Sequence, residues 1–285
     1  MQFRRIFLAF SQVRTPATLR ASIVPYYSPW ATAVSRPAAM PLNPLAPVTD
    51  YQSMLNRIFW FTTASALVAV WLLRLYVPGL EAQLSKIDFA VQFGGDKTLP
   101  IPAGYLFPAL AMGLLTRVYR LHARISDWLE IRERFDIDVI MSEMADQLSI
   151  DLTLIPEQRL IEHRSHFMRT AFYAFANGHR PQIDPQLIHQ ALDAWSWFWI
   201  GVETTLVFLL AGLGLIAANE YRIGLQTIVG TLTLAAIGLP LMRAQCQRYA
   251  IAQVRAILAD PARETAVRIA FQELTGRHAH SKRAA

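Results

Sequence analysis

Cysteine is almost absent from this chain. Its 285 residues include a single one, Cys246, so neither an intramolecular disulfide nor a zinc or iron–sulfur site with several cysteine ligands can form. Charged residues are also scarce, at 17% against about 25% in soluble domains. The sequence contains no glycine-rich phosphate loop, nucleophile elbow or zinc-protease motif. We therefore predict no cofactor and no catalytic residues from the sequence.

Acidic residues are missing from the first 49 positions, which contain seven prolines and five arginines. So many prolines exclude a regular helix. We interpret residues 1–50 as a disordered, Pro- and Arg-rich cytoplasmic arm. Two alternatives stay open: an over-extended gene start, with translation beginning at Met40 or Met54, and an organellar transit peptide, which is also rich in arginine and poor in acids.

Hydrophobic residues, by contrast, make up 53% of the chain. They are concentrated in four runs, each close to the ~20 residues that an α-helix needs to cross a hydrocarbon core roughly 30 Å thick. The runs predict an integral membrane protein with four transmembrane helices in two pairs. They are Ile58–Val77, Ile101–Val118, Trp195–Ala218 and Ile223–Met242.

Basic residues cluster on one side of these runs. Arg117, Arg120 and Arg124 follow the second run, and Arg243 and Arg248 follow the fourth, which is typical of cytoplasmic flanks. We expect both chain ends in the cytoplasm and a bacterial inner (plasma) membrane, with the mitochondrial inner membrane as the alternative. The same bias accounts for the net charge of +6, and without a binding motif we expect no nucleic-acid partner.

The segment between the first two runs has the periodicity of β-strands. Apolar and polar residues alternate from Ile87 to Phe93, and Gly94-Gly95-Asp96 is a turn signal. This pattern favours a small extracytoplasmic β-hairpin over residues 84–100.

Helical periodicity and helix-start signals dominate the rest of the chain. Leu121, Ile125, Trp128 and Val139 fall on one stripe of a long predicted helix, and Pro156 suits the start of another. The predicted fold class is an all-α membrane protein with four transmembrane helices, a cytoplasmic helical bundle and the small extracytoplasmic β-hairpin. Further helices should begin at Asp184-Pro185 and Asp260-Pro261. The expected units are 51–118 for the first transmembrane pair with its hairpin, 119–194 for the cytoplasmic helical domain, 195–242 for the second pair, and 243–285 for the C-terminal helices and tail.

Glu203 is the most informative single residue, because it is ionisable and lies inside the third apolar run. Such residues usually face protein or water. Arg117 lies at a comparable depth on the second run, and we expect the two to form an intramembrane polar pair, with an ion or proton path as the alternative role of Glu203. Trp195, Trp197 and Trp199 are expected to anchor this end of the helix at the membrane interface.

His163 and His166 resemble a metal site only weakly. Their spacing of three places both imidazoles near one helix face, but a metal site needs a third ligand, for which His179, His189 or Asp184 would have to serve. Solvated histidines are the simpler interpretation.

Three functions remain open at this stage. The first is a non-enzymatic membrane anchor, sensor or effector that acts through its cytoplasmic bundle, by oligomerisation or by binding a protein partner. The second is an oligomeric channel or small transporter that uses Glu203. The third is a membrane enzyme with a metal site near His163 and His166. The bilayer is the one certain partner in each case, and no small molecule is indicated.

Overall fold

The computed structural model describes residues 45–87, 102–178 and 180–275. Across these ranges the chain is helical and contains no strand, which confirms the all-α class. The α-helices are α1 (Tyr51–Tyr76), α2 (Pro78–Leu84), α3 (Ala103–Val118), α4 (Leu121–Trp128), α5 (Ile131–Phe135), α6 (Ser142–Gln147), α7 (Glu157–Phe167), α8 (Pro185–Ala217), α9 (Tyr221–Leu258) and α10 (Pro261–Thr275).

Three of these helices, α1, α8 and α9, are long and apolar enough to cross a membrane. The expectation of four such helices is therefore corrected to three. The second apolar run forms α3, whose 16 residues extend about 24 Å at 1.5 Å per residue. This is shorter than a hydrocarbon core of roughly 30 Å.

The predicted β-hairpin over residues 84–100 has no support in the described residues. Leu84 ends α2, and Ser85–Ile87 continues as a 3₁₀ turn; residues 88–101 lie outside the described ranges. Helix α2 starts at Pro78, because proline suits the first turn of a helix, where a backbone N–H would have no hydrogen-bond partner within the helix. Arg74 holds it from the preceding helix: its buried guanidinium forms a two-pronged ion pair with Glu81, instead of reaching past the helix end towards lipid headgroups.

Small residues bring α1, α3 and α8 close together along their apolar segments. Their contact includes a cluster of buried apolar side chains and, next to it, a hydrogen bond of 2.8 Å between the Ser65 and Thr204 hydroxyls. A Cβ on Gly113 of α3 would collide with the Thr63 hydroxyl of α1. The cluster consists of Ala66, Ala69, Ala109, Val207 and Ala211.

The α8–α9 hairpin depends on two facing glycines. A Cβ on Gly224 would lie 2.7 Å from the carbonyl oxygen of Gly212 and 3.0 Å from the backbone nitrogen of Ile216. Such close backbone approach is typical of membrane helix pairs. Gly230 and Gly238, further along α9, have nothing within 4 Å of the corresponding position, so they take no part in this contact.

The helical bundle (α5, α6, α7 and α10) and the adjoining ends of α1, α8 and α9 share one hydrophobic core. Helices α8 and α9 run without a break from the apolar segments into the bundle. The chain between α5 and α6 forms a π-helical turn, Asp136–Met141, and a second π turn, Met168–Phe172, follows α7. The largest fully buried side chains of this core include Phe167, Phe271, Met141, Met144, Met168, Ile257 and Val254.

The helix starts read from the sequence are confirmed. Pro185 occupies the first turn of α8, and the Asp184 carboxylate accepts a hydrogen bond from the Gln186 N–H at 2.9 Å. Pro261 begins α10, and Pro156 caps α7.

The prediction of one long amphipathic helix after the second apolar run is wrong. The chain breaks at Arg120 and again at Glu130, which have left-handed backbone with φ of 47° and 53°. The resulting short α4 turns Trp128 outward, where 81% of it is exposed, although the sequence pattern placed this residue on the buried stripe.

Candidate functional site: a buried carboxyl at the inner end of the membrane helices

Glu203 lies at the centre of a polar cluster between α1, α3 and α8. It is 1% exposed, and the Thr62 hydroxyl donates a hydrogen bond of 2.7 Å to its Oε2 atom. The Thr116 side chain and the His122 backbone also lie close to this carboxyl, and the Thr116 hydroxyl itself donates to the Gly113 carbonyl at 2.9 Å. All three neighbours are neutral groups, which surround a buried carboxyl without contributing a positive charge.

The start of α4 supplies the electrostatic part of the site. Because Arg120 is left-handed, the chain turns sharply between α3 and α4 and places the first turn of α4, with the His122 backbone, beside Glu203. The N-terminal turn of a helix carries unpaired N–H groups and a partial positive charge. A carboxyl group placed there is held without an ion pair.

His122 closes the site on the side of the bundle. Its side chain is 6% exposed, its Nε2 atom lies 3.2 Å from the Tyr51 hydroxyl, and its ring packs edge-on against Trp199 at 6.0 Å. Burial, together with the charge of Arg120, lowers the pKa of His122 to about 4. The imidazole is therefore neutral near pH 7, and its Nε2 atom can accept a hydrogen bond from the Tyr51 hydroxyl.

Arg117, the expected partner of Glu203, lines the same small cavity. Its guanidinium donates to Asn56 Oδ1 at 2.7 Å and lies 5.9 Å from the Phe59 ring centroid. Among the described contacts there is no ion pair between Arg117 and Glu203. The structure thus brings both residues to one cavity, which has room for about one water molecule, but assigns them different partners.

A second buried cation, Arg57, ties α1 to α8 below this cavity. It pairs with Asp193, donates to Ser196 at 3.2 Å and to the Ala46 carbonyl at 2.8 Å. This ion pair was not predicted from the sequence. The signal for this pair was the placement of both charges at the same end of two apolar runs.

The three tryptophans of α8 are placed differently from one another. Trp197 is exposed, contacts Phe61 edge-on at 5.0 Å and lies 5.6 Å from the Arg57 guanidinium, as an interfacial side chain can. Trp199 is 6% exposed and belongs to the core. Trp195 packs at 4.7 Å from Phe135 of the bundle. Two of the three expected anchors therefore join the membrane helix to the bundle.

The weak metal candidates do not come together. His163 and His166 are exposed, and His166 lies 3.5 Å from Glu273. His179, one possible third ligand, lies outside the described residues. Within the described ranges, no three His, Cys, Asp or Glu side chains form a group that could hold a metal ion.

The bundle has a buried polar centre of its own, which the sequence did not reveal. Asp136, 3% exposed, begins the first π turn and accepts a hydrogen bond of 2.6 Å from Arg164; Arg132 lies 4.0 Å away on the other side. Tyr173, at the end of the second π turn, adjoins this group, and burial raises the pKa of its hydroxyl to about 12. Asp136 thereby links the first π turn to α7.

Comparison with known proteins gives a family and no closer relative. A family model described as the YmfE protein family matches residues 50–273, which include every helix from α1 to α9 and nearly all of α10. No curated protein and no solved structure matches the chain.

Proposed function

Since the chain belongs to the YmfE protein family, whose description states no activity, we propose its function from the structure: a non-enzymatic membrane sensor or anchor whose helical bundle binds a protein. In this proposal the bundle binds the protein partner, and the long apolar helices with Glu203 contact the bilayer. One observation carries this proposal, the single hydrophobic core that joins the two parts.

A shared core transmits movement, whereas a flexible linker does not. Ile58 of α1, Phe198 of α8 and Val254 of α9 belong to the same buried cluster as Phe271 of the bundle. Because packed cores resist continuous deformation and shift between discrete arrangements, a change in the angle or depth of α8 would move the bundle with it. This coupling suits a sensor better than an inert anchor.

The proposed orientation places the three long helices across the bilayer and the shorter α3 beside them in it. Helix α3 belongs there because it packs on α1 through Gly113 and carries apolar side chains outward at Leu114 and Val118. The bundle and both chain ends then lie in the cytoplasm, and the α8–α9 turn lies outside, in a bacterial inner membrane. The arginines at the inner ends of the helices support this orientation.

The proposal is tested by asking whether the bundle has a protein neighbour. A photo-crosslinking amino acid at Leu154, which is 72% exposed on the bundle, should give a discrete protein adduct in cells. The same amino acid at Leu234, 75% exposed on the apolar face of α9, is the matched control and should give none. Native mass spectrometry of the purified chain should show a stoichiometric partner or a second copy. A strictly monomeric particle together with no adduct at Leu154 would contradict the proposal.

A proton or ion path through Glu203 is the second candidate, favoured by the cavity beside this carboxyl. It ranks lower because, beyond the Ser65–Thr204 hydrogen bond of 2.8 Å, the same helices meet through the apolar cluster that includes Ala66 and Ala211. Ion flux into proteoliposomes that Glu203→Gln abolishes would favour this candidate, and absence of flux in both forms would exclude it.

A further inference from the structure

The corner between α3 and α4 exposes an arrangement of side chains that the bundle core does not use. Arg124 and Trp128 lie four residues apart in α4, which places them on one helix face, and Arg120 directly precedes this helix at its N-cap position. Arg124 also lies 5.3 Å from the ring of Tyr119. We name this group the corner surface, and define it as Tyr119, Arg120, Arg124 and Trp128.

We infer that the corner surface binds anionic lipid headgroups of the inner leaflet and holds α4 along the membrane surface. The inference rests on the proposed orientation, in which the inner end of α3 emerges at that leaflet. The partner is a lipid surface, and the chemistry is that of guanidinium groups on phosphate with aromatic rings at headgroup depth.

Continuity with the apolar face of α3 is the first argument. Leu114, Leu115 and Val118 are 54%, 50% and 66% exposed, so the outer side of α3 presents apolar groups up to the corner itself. The corner surface begins at the next residue, Tyr119, which is 53% exposed. A surface that continues a lipid-facing helix without a gap lies at the depth of the headgroups.

The exposure of Trp128 is the second argument. An indole ring that is 81% exposed leaves a large apolar area in water, whereas at a membrane interface the same ring is in its preferred environment. The opposite face of α4 is anchored, since His122 and Ser126 are buried at 6% and 5%. Helix α4 therefore has one face on the protein and an aromatic, basic face without a protein neighbour among the described residues.

The backbone supports a fixed position for this face. Both ends of α4 are left-handed at non-glycine residues, Arg120 and Glu130, a conformation that costs free energy and persists where the surrounding structure requires it. Two acidic residues lie near this face. Asp127 is exposed beside Trp128, while Glu130 is paired with Arg134 at 3.0 Å. The two arginines at Arg120 and Arg124 have no such pairing in the described contacts and are available to phosphate.

A reporter next to the corner surface tests the inference with the full chain. In a Cys246→Ala background, a fluorescent label at Leu129→Cys leaves all four defining residues intact. Leu154→Cys on the bundle is the matched position. In proteoliposomes that contain phosphatidylglycerol, nitroxide-labelled lipids should quench the label at 129 strongly and the label at 154 weakly, and a water-soluble quencher should show the reverse order. In phosphatidylcholine alone, the quenching of the label at 129 by lipid should fall.

Two charge variants make the test specific. The double change Arg120→Gln and Arg124→Gln should remove the difference in lipid quenching at position 129 between the two vesicle types. Each arginine is expected to contribute about a fivefold preference for phosphatidylglycerol over phosphatidylcholine. Arg124→Gln alone, outside the left-handed turn, should remove part of it if the double variant folds poorly. The control, Arg169→Gln with Arg180→Gln, makes the same charge change on exposed bundle residues and should leave the preference intact.

Each remaining outcome overturns the inference. Equal lipid quenching at 129 in both vesicle types would show that headgroup charge is not recognised, and a label at 129 as open to water as the label at 154 would show no membrane contact. Shielding of position 129 in cell membranes but not in proteoliposomes would assign the surface to a protein partner. Labels at 129 and 154 on opposite sides of the bilayer would instead refute the proposed orientation, so the two failures are distinguishable.

Discussion

Asp136→Ala should destabilise the bundle by about 3–5 kcal/mol, the usual cost of removing one partner of a buried ion pair. Asp136 is 3% exposed and faces Arg164 at 2.6 Å and Arg132 at 4.0 Å. Alanine would leave Arg164 with only the more distant Glu133, at 4.0 Å, as its counter-charge, and it would remove the ion pair that joins the first π turn to α7. Denaturant unfolding of the purified protein in detergent, followed by tryptophan fluorescence, measures the change.

The matched control for this prediction is Arg134→Ala. Its ion pair with Glu130 has a similar length, 3.0 Å, but both side chains are more than half exposed, and exposed pairs contribute at most about 1 kcal/mol. Asp136→Asn should fall between the two, because an amide oxygen still accepts from Arg164 but carries no charge. Equal unfolding midpoints for the alanine variants would show that the Asp136 cluster is not structural.

Gly224→Leu should destabilise the α8–α9 hairpin by about 3 kcal/mol, at the upper end of what overpacking costs. The new side chain would enter at 2.7 Å from the Gly212 carbonyl oxygen and 3.0 Å from the Ile216 backbone nitrogen, and backbone atoms cannot move aside as a side chain can. The two helices would have to separate at their outer ends. The readout is the midpoint of unfolding in mixed detergent micelles.

Gly230→Leu is the control for Gly224→Leu on the same helix. Nothing lies within 4 Å of a Cβ at Gly230, so leucine there adds an apolar side chain to an open face and should change stability by less than about 1 kcal/mol. A larger loss at Gly230 than at Gly224 would mean that α9 packs with a different face from the one in the structure.

Hydropathy predicted the membrane helices because a span is a one-dimensional property of the sequence. α1, α8 and α9 coincide with three of the four apolar runs. What hydropathy could not predict is which side of each helix meets its neighbour. Helices α8 and α9 meet at Gly212 and Gly224 and not at Gly230, because tertiary packing decides how each helix is rotated about its axis.

The two breaks in the helix that was expected after the second apolar run had no local signal in the sequence. A left-handed residue is usually glycine or asparagine, and the chain uses Arg120 and Glu130 instead, so the periodic pattern continued through both positions. The same turn at Arg120 brings the His122 backbone to Glu203. Glu203 itself was found because an ionisable residue in an apolar run is conspicuous; its partners Thr62 and Thr116 were missed because a threonine in a membrane helix is not.

The most direct test of the membrane account is cysteine accessibility in intact cells, again with Cys246→Ala. Tyr221→Cys, at the exposed start of α9, should react with a membrane-impermeant maleimide in intact cells. Leu154→Cys, on the bundle, should react only after the membrane is permeabilised. Labelling of Leu154→Cys in intact cells, or recovery of the whole chain as a water-soluble particle without detergent, would contradict a bundle held beneath the membrane by the helices that cross it.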